Sequence, residues 1–353
     1  MGTSQEIEVP AAARVVECPG TTITAGLWNS HVHLTERKWS DAAEIPQAEL
    51  NRQLQDFTRY GFTTIFDLAS ALQNTQALRR RIESGEIAGP RILSAGEGLV
   101  PPGGNAPEIV TATMGWMPVT LPEAGDPAEV ERHTQRLLAE GADAIKVFAS
   151  SAPGAGGAFV SEDSLRAIVR LAREANKPVF IHPNTHDDIK RAVAARVDVL
   201  AHTVPRATLS PNDLALIVGA NVALIPTLML WEHLTRHERA SVQARVVEAE
   251  LTQLRAFREA GGTIFFGTDH GTVDPDPTRE YHLMHEAGMG FNDILESLTT
   301  GPSRRFDGRR TGTVAAGEPA DLVVLDGAAS RGPTVFSDVR LTIRAGRIIY
   351  NRG

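Results

Sequence analysis

Cysteine is nearly absent from this 353-residue chain. The single residue, Cys18, allows no internal disulfide and no thiolate-rich zinc cluster, so any metal must be held through nitrogen or oxygen. Excess positive charge is also missing. The formal charge is −8 and the pI about 5.8, which leaves no global field to attract a polyanion and argues against nucleic-acid partners. No apolar run approaches the ~18 residues of a membrane span, and the opening residues lack the basic and apolar regions of a signal peptide. A soluble protein is expected, cytoplasmic or exported with its signal removed. Lysine is scarce as well, with only Lys38, Lys146, Lys177 and Lys190 among 35 basic residues.

What is present is an alternation. From residue 20 to about residue 300, short β-branched or apolar runs alternate with longer amphipathic stretches, the signature of repeated βα units. Eight strands are expected at Thr22–Leu27, Thr63–Leu68, Arg91–Ala95, Ala144–Phe148, Pro178–Ile181, Val197–Ala201, Val222–Pro226 and Thr263–Gly267. Helices are expected at Gln47–Tyr60, Asn74–Ser84, Pro127–Glu140, Glu162–Ala175, Asp187–Ala195, Pro211–Val218 and Arg239–Ala260. Asp126 before Pro127, Ser161, and Ser210 before Pro211 read as N-caps. Eight βα units make a (β/α)8 TIM barrel over residues 20–310, with the Gly/Pro-rich loops 100–107 and 151–157 on its active face. After residue 310 the texture changes to Gly312–Val314, Asp321–Leu325, Val339–Arg344 and Arg347–Tyr350. These segments, with Val9–Glu17, are expected to build a small β-sandwich from residues 1–19 and 311–353.

The chemistry-bearing residues fall at strand ends. His31 and His33 lie two apart at the end of the first strand and so share a face. His182, His202 and Asp269 each follow an apolar run, at the ends of the fifth, sixth and eighth strands. In a barrel these ends converge on one pocket, whereas helix capping explains any one of them but not all five. Lys146 lies inside Ala144-Ile145-Lys146-Val147-Phe148. Burial lowers the pKa of an ammonium, and a neutral amine can take up carbon dioxide as a carbamate, an anionic ligand able to bridge two metals. The plainer alternative is a lysine paired with a barrel carboxylate. Four imidazoles and two anionic oxygen ligands suit Zn2+ first, and also Mn2+, Co2+ or Fe2+. With two ions ~3.5–4 Å apart, a shared water is acidified and the scissile carbonyl polarised. Asp269 would then act as the proton shuttle.

The pattern resembles the amidohydrolase superfamily, in its imidazolonepropionase-like and prolidase-like branch. The resemblance is carried by residues 26–34, 141–150, 179–184, 200–203 and 267–269 and by the tail from Gly312 to Leu325, and it runs from about residue 14 to the end. It implies a binuclear centre with His31, His33 and Asp269 on one metal, His182 and His202 on the other, and carboxylated Lys146 between them. It implies hydrolysis of an amide or peptide-like C–N bond in an N-acyl amino acid or dipeptide. Lactones, carbamates and phosphotriesters are the alternative substrates, and a catalytically silent barrel serving as a binding protein is the alternative of another class. The stretch before the first strand is short for such a protein, so half of the sandwich is expected to be missing and its apolar face partly uncovered. A homo-oligomer is compatible with that. His270 and Trp231 are weaker candidates for substrate contacts, with Arg279 and Tyr281 more remote ones.

Overall fold

The computed structural model describes residues 9–13, 15–104, 106, 121–151, 157–204, 209–308 and 311–353. Expectations that fall on 107–120, 152–156 and 205–208, including most of the 151–157 loop, lie outside the described residues.

The strand expected at Thr22–Leu27 divides in two. Strand β1, Thr22–Ala25, ends before Gly26, and strand β2, Leu27–Val32, begins after it. Alternation alone does not show the break because both halves are apolar enough to be strand. What differs is the partner. The first half pairs antiparallel with a strand three hundred residues away, Thr22 opposite Leu325, and the second half pairs in parallel with the next strand. The first strand of the parallel sheets is therefore Leu27–Val32, which carries His31 within it and His33 one residue past its end.

Six more parallel strands follow among the described residues: β3 Phe62–Asp67, β4 Arg91–Ser94, β5 Ile145–Phe148, β6 Val179–His182, β7 Val199–Ala201 and β8 Ala223–Ile225. They form two sheets, β2-β3-β4 and β5-β6-β7-β8. Every residue of β2, β3, β5 and β6 is buried, as expected of parallel strands covered on both faces. The segment expected as the eighth strand, Thr263–Gly267, is extended chain with single bridges rather than a regular strand. Ile264 bridges Leu224 of β8, and His270 bridges Val32 of β2. Leu99 bridges Val147 of β5, which links the two sheets beyond β4. This mixed α/β arrangement fits a TIM barrel.

The helices largely obey their capping signals. Asp126 accepts from the Glu129 N–H ahead of helix Pro127–Ala139, Ser161 from Ser164 N–H, and Ser210 from Asp213 N–H. Three helices beyond the expected set, Leu228–Leu234, Thr278–Glu286 and Phe291–Leu298, follow the last two strand segments. At the centre, Phe66, Phe180 and Phe265 pack around Phe306, with ring centroids 5.0–5.5 Å from it. Phe306 is supplied from a short helical turn, Ser303–Asp307.

Strands β9 Leu322–Leu325, β10 Val339–Arg344 and β11 Arg347–Asn351 join β1 in a four-stranded antiparallel sheet of order β1-β9-β10-β11. Thr342 of β10 donates to the Thr58 carbonyl at 2.6 Å and ties the sheet to the α/β unit. Neither Val9–Glu17 nor Gly312–Val314 forms a strand in the described residues, and Val9, Val15 and Val16 are exposed.

Candidate metal centre

His31 and His33 point the same way, as their spacing requires, and both are almost fully buried. Their Nε2 atoms lie 3.2 Å apart, and both approach Asp269 Oδ1, at 3.3 and 2.9 Å. Each of the three offers a ligand atom within 4.8 Å of the others. Two features hold Asp269 to them. Asn29 grips the preceding residue from β2, donating to Thr268 Oγ1 and accepting the Thr268 N–H. Gly267 permits close approach, since a Cβ there would lie 2.7 Å from His31 Cβ.

The rings of the other two histidines complete the cluster. The His202 ring lies tilted 4.6 Å from His31 and edge-on 4.5 Å from His182. Hydrogen bonds at the outer edge of the rings fix which nitrogen faces inward. The Ala69 carbonyl can only accept, so His33 Nδ1, 3.2 Å away, carries a proton and Nε2 is the nitrogen turned toward Asp269. Asn184 donates its amide to the Ser150 carbonyl, which turns its oxygen toward His182 Nε2 at 3.2 Å and leaves His182 Nδ1 free. His31 Nδ1 is buried with no hydrogen-bond partner among the described residues.

Burial is the main electrostatic influence. It pushes His182 down to about 3, and His31 and His202 well below their ordinary value, with the nearby Lys146 and neighbouring imidazoles adding in the same direction. His31, His182 and His202 are thus held as neutral imidazoles with available lone pairs. Lys146, fully buried at 0 % exposure, is lowered to about 7 by burial against the opposing pull of Asp269. Among the described residues its Nζ has no hydrogen-bond partner, and it lies 5.3 Å over the Phe148 ring. A buried amine without a partner, beside neutral imidazoles and a carboxylate, is a donor set that fits divalent metal.

The weaker candidates separate. Trp231 is buried beside His202, its ring 6.4 Å away edge-on, and its Nε1 donates to Thr203 Oγ1. His270 is buried but packs edge-on against Phe57 at 4.8 Å, next to Glu36, and does not join the three-residue cluster. Tyr281 stacks on Phe266 in the core, and Arg279 pairs with Glu232 and Glu286 at the surface. Asn29 and Asn184 were not marked as functional in the sequence. Their only signal is proximity to His31 and His182 along the chain.

The sequence matches the amidohydrolase family over residues 22–349, nearly the whole chain. The chain belongs to the amidohydrolase family. This amidohydrolase is a hydrolase acting on carbon–nitrogen bonds. A protein from Bifidobacterium longum assigned as a prolidase superposes with a TM-score of 0.80 at 25% identity, covering 99% of this chain and 86% of that one. A Xaa-Pro dipeptidase with methionine bound in its active site gives 0.77 at 23% identity, covering 94% and 87%. Molinate hydrolase gives 0.77 at 21% identity, covering 98% and 87%. The last two likenesses speak to the fold. The comparison with curated proteins finds no significant match.

Proposed function

We propose that this amidohydrolase is a binuclear metal enzyme that cleaves the amide or peptide-like bond of a small N-acyl amino acid or dipeptide, within a closed eight-stranded barrel. The observation that carries the proposal is the meeting of His31, His33 and Asp269 within 4.8 Å beside the buried, unpartnered amine of Lys146. His31, His33 and Asp269 would hold one divalent ion, zinc by donor type, and His182 and His202 a second. Lys146 would join them as a carbamate, its amine having added to carbon dioxide with loss of a proton. Bound divalent metal supplies Lewis acidity toward the attacking water and the scissile carbonyl. Asp269, with a carboxylate oxygen already facing the cluster, takes a proton from the attacking water and returns it to the leaving nitrogen. Trp231, beside His202, would form part of the substrate-facing wall, and His270 is assigned to its rim. The similarity to a Xaa-Pro dipeptidase supports the dipeptide class, and molinate hydrolase keeps carbamates as the second class to assay.

The test is elemental analysis of metal-supplemented protein together with a panel of dipeptides, N-acyl amino acids, carbamates and lactones. The expected result is close to two ions per chain with turnover of the first two substrate sets. One ion per chain, with His182 and His202 replaceable by alanine at no loss, overturns the binuclear reading. Asp269→Asn is expected to lose at least ~10²-fold in kcat while retaining most metal.

A further inference from the structure

Thr227 directly follows β8 and Pro226, and its backbone is left-handed at φ 46°, ψ 53°. For a β-branched residue this is a strained outlier that persists only where the surroundings hold it. The surroundings do so here. Glu280, fully buried on helix Thr278–Glu286, accepts the N–H groups of the next two residues, Leu228 at 2.9 Å and Met229 at 2.8 Å, one with each carboxyl oxygen. On the other side the Thr227 hydroxyl donates to the Pro226 carbonyl at 2.8 Å, and its oxygen meets His202 Nδ1 at 2.5 Å. A hydroxyl has one proton. With that proton on Pro226, the Thr227 oxygen can only accept from His202.

From this strained turn we infer that Thr227 is a positioning residue for the metal centre: its hydroxyl fixes His202 as the tautomer protonated on Nδ1, with the Nε2 lone pair facing the cluster. His202 is itself in an unusual backbone conformation, φ 87°, so its ring direction is not set by a regular strand and depends on this contact. Outer hydrogen bonds of this kind set ligand orientation, and their loss typically weakens metal affinity by ~10–100-fold. The strain at Thr227 marks the hydroxyl as what the position keeps, since glycine would take the same backbone without cost.

The inference rests on the reading of His202 as a ligand, and the experiment separates the two. In metal-free full-length protein labelled with 15N-histidine, long-range proton–nitrogen spectra should show His202 protonated at Nδ1. Zinc affinity measured by competition with a chelating dye should fall about 10- to 100-fold in Thr227→Val and stay within about twofold in Thr227→Ser. Thr227→Gly relieves the backbone and removes the hydroxyl, so it should unfold no more readily than the wild type and still bind zinc as weakly as Thr227→Val. A residue of purely structural role would give Thr227→Gly full affinity. The inference is overturned by His202 protonated at Nε2 in the wild type, or by wild-type zinc affinity in the valine or glycine variant. If His202→Ala binds zinc as the wild type does, the ligand assignment fails instead, and the nitrogen spectra still decide what Thr227 does.

Discussion

Lys146 owes its chemistry to isolation. A lysine in the middle of a fully buried strand must either find a carboxylate within hydrogen-bond reach or give up its proton, and its Nζ has no such partner among the described residues. Arginine cannot make the second adjustment because its guanidinium stays protonated. Lys146→Arg is therefore expected to bind fewer than two ions per chain by elemental analysis and to lose activity, whereas Lys146→Ala should recover part of its activity in the presence of short carboxylic acids. Full activity and full metal content in Lys146→Arg would rule out a bridging role. Glu280 gives a second prediction, this one in pH. Burial, opposed by the Met229 and Leu228 N–H groups, raises its carboxyl from the ordinary 4.5 to about 8. Between those pH values the folded protein holds a proton that the unfolded chain has released. Its contribution to stability is therefore complete below pH 4.5 and declines as pH rises toward 8. Urea unfolding across that range should show the decline, and Glu280→Gln, which cannot titrate, should remove that part of it.

At the scale of elements, the Phe306 turn makes a prediction of a different kind. Its ring fills space between Phe66, Phe180 and Phe265, on three separate strand segments, while remaining partly accessible. Phe306→Ala is expected to cost about 3 kcal/mol in denaturant unfolding, the low end for a phenylalanine truncation, with metal content unchanged. Helices such as Pro127–Ala139 and Pro211–Gly219 were legible because Asp, Ser and Pro mark their starts chemically. The Thr22–Ala25 strand was placed in the wrong sheet because alternation reports that a segment is extended, not which strand it meets. Val9–Glu17 failed for the related reason that an apolar, β-branched run is strand only where a partner is present.

Over the whole molecule, the site was more legible than its supports. His31, His33, His182, His202 and Asp269 could be gathered from sequence because strand ends in this architecture share one mouth. Thr227, Asn184 and Glu280 could not, since their roles depend on hydrogen bonds across 25 or more residues in all three cases. A core holding five potential ligands implies a further expectation. Stripping metal with a chelator should lower the denaturation midpoint and readdition should restore it, by about 4 kcal/mol at a thousandfold excess over Kd. An unchanged midpoint would mean that no tight site exists in the folded state.

The pairing of Thr22 with Leu325 and of Val32 with His270 also imposes an order in time. On the ribosome, β1 has no mate until the chain has grown three hundred residues further, and long-range pairing of this kind is slow because the intervening loop must be closed first. His31 and His33 are made early and wait for Asp269, so the three-residue cluster is assembled only after the chain has reached residue 269. Metal present while the chain is still emerging finds a histidine pair without its carboxylate, and the competent site is a late product of folding.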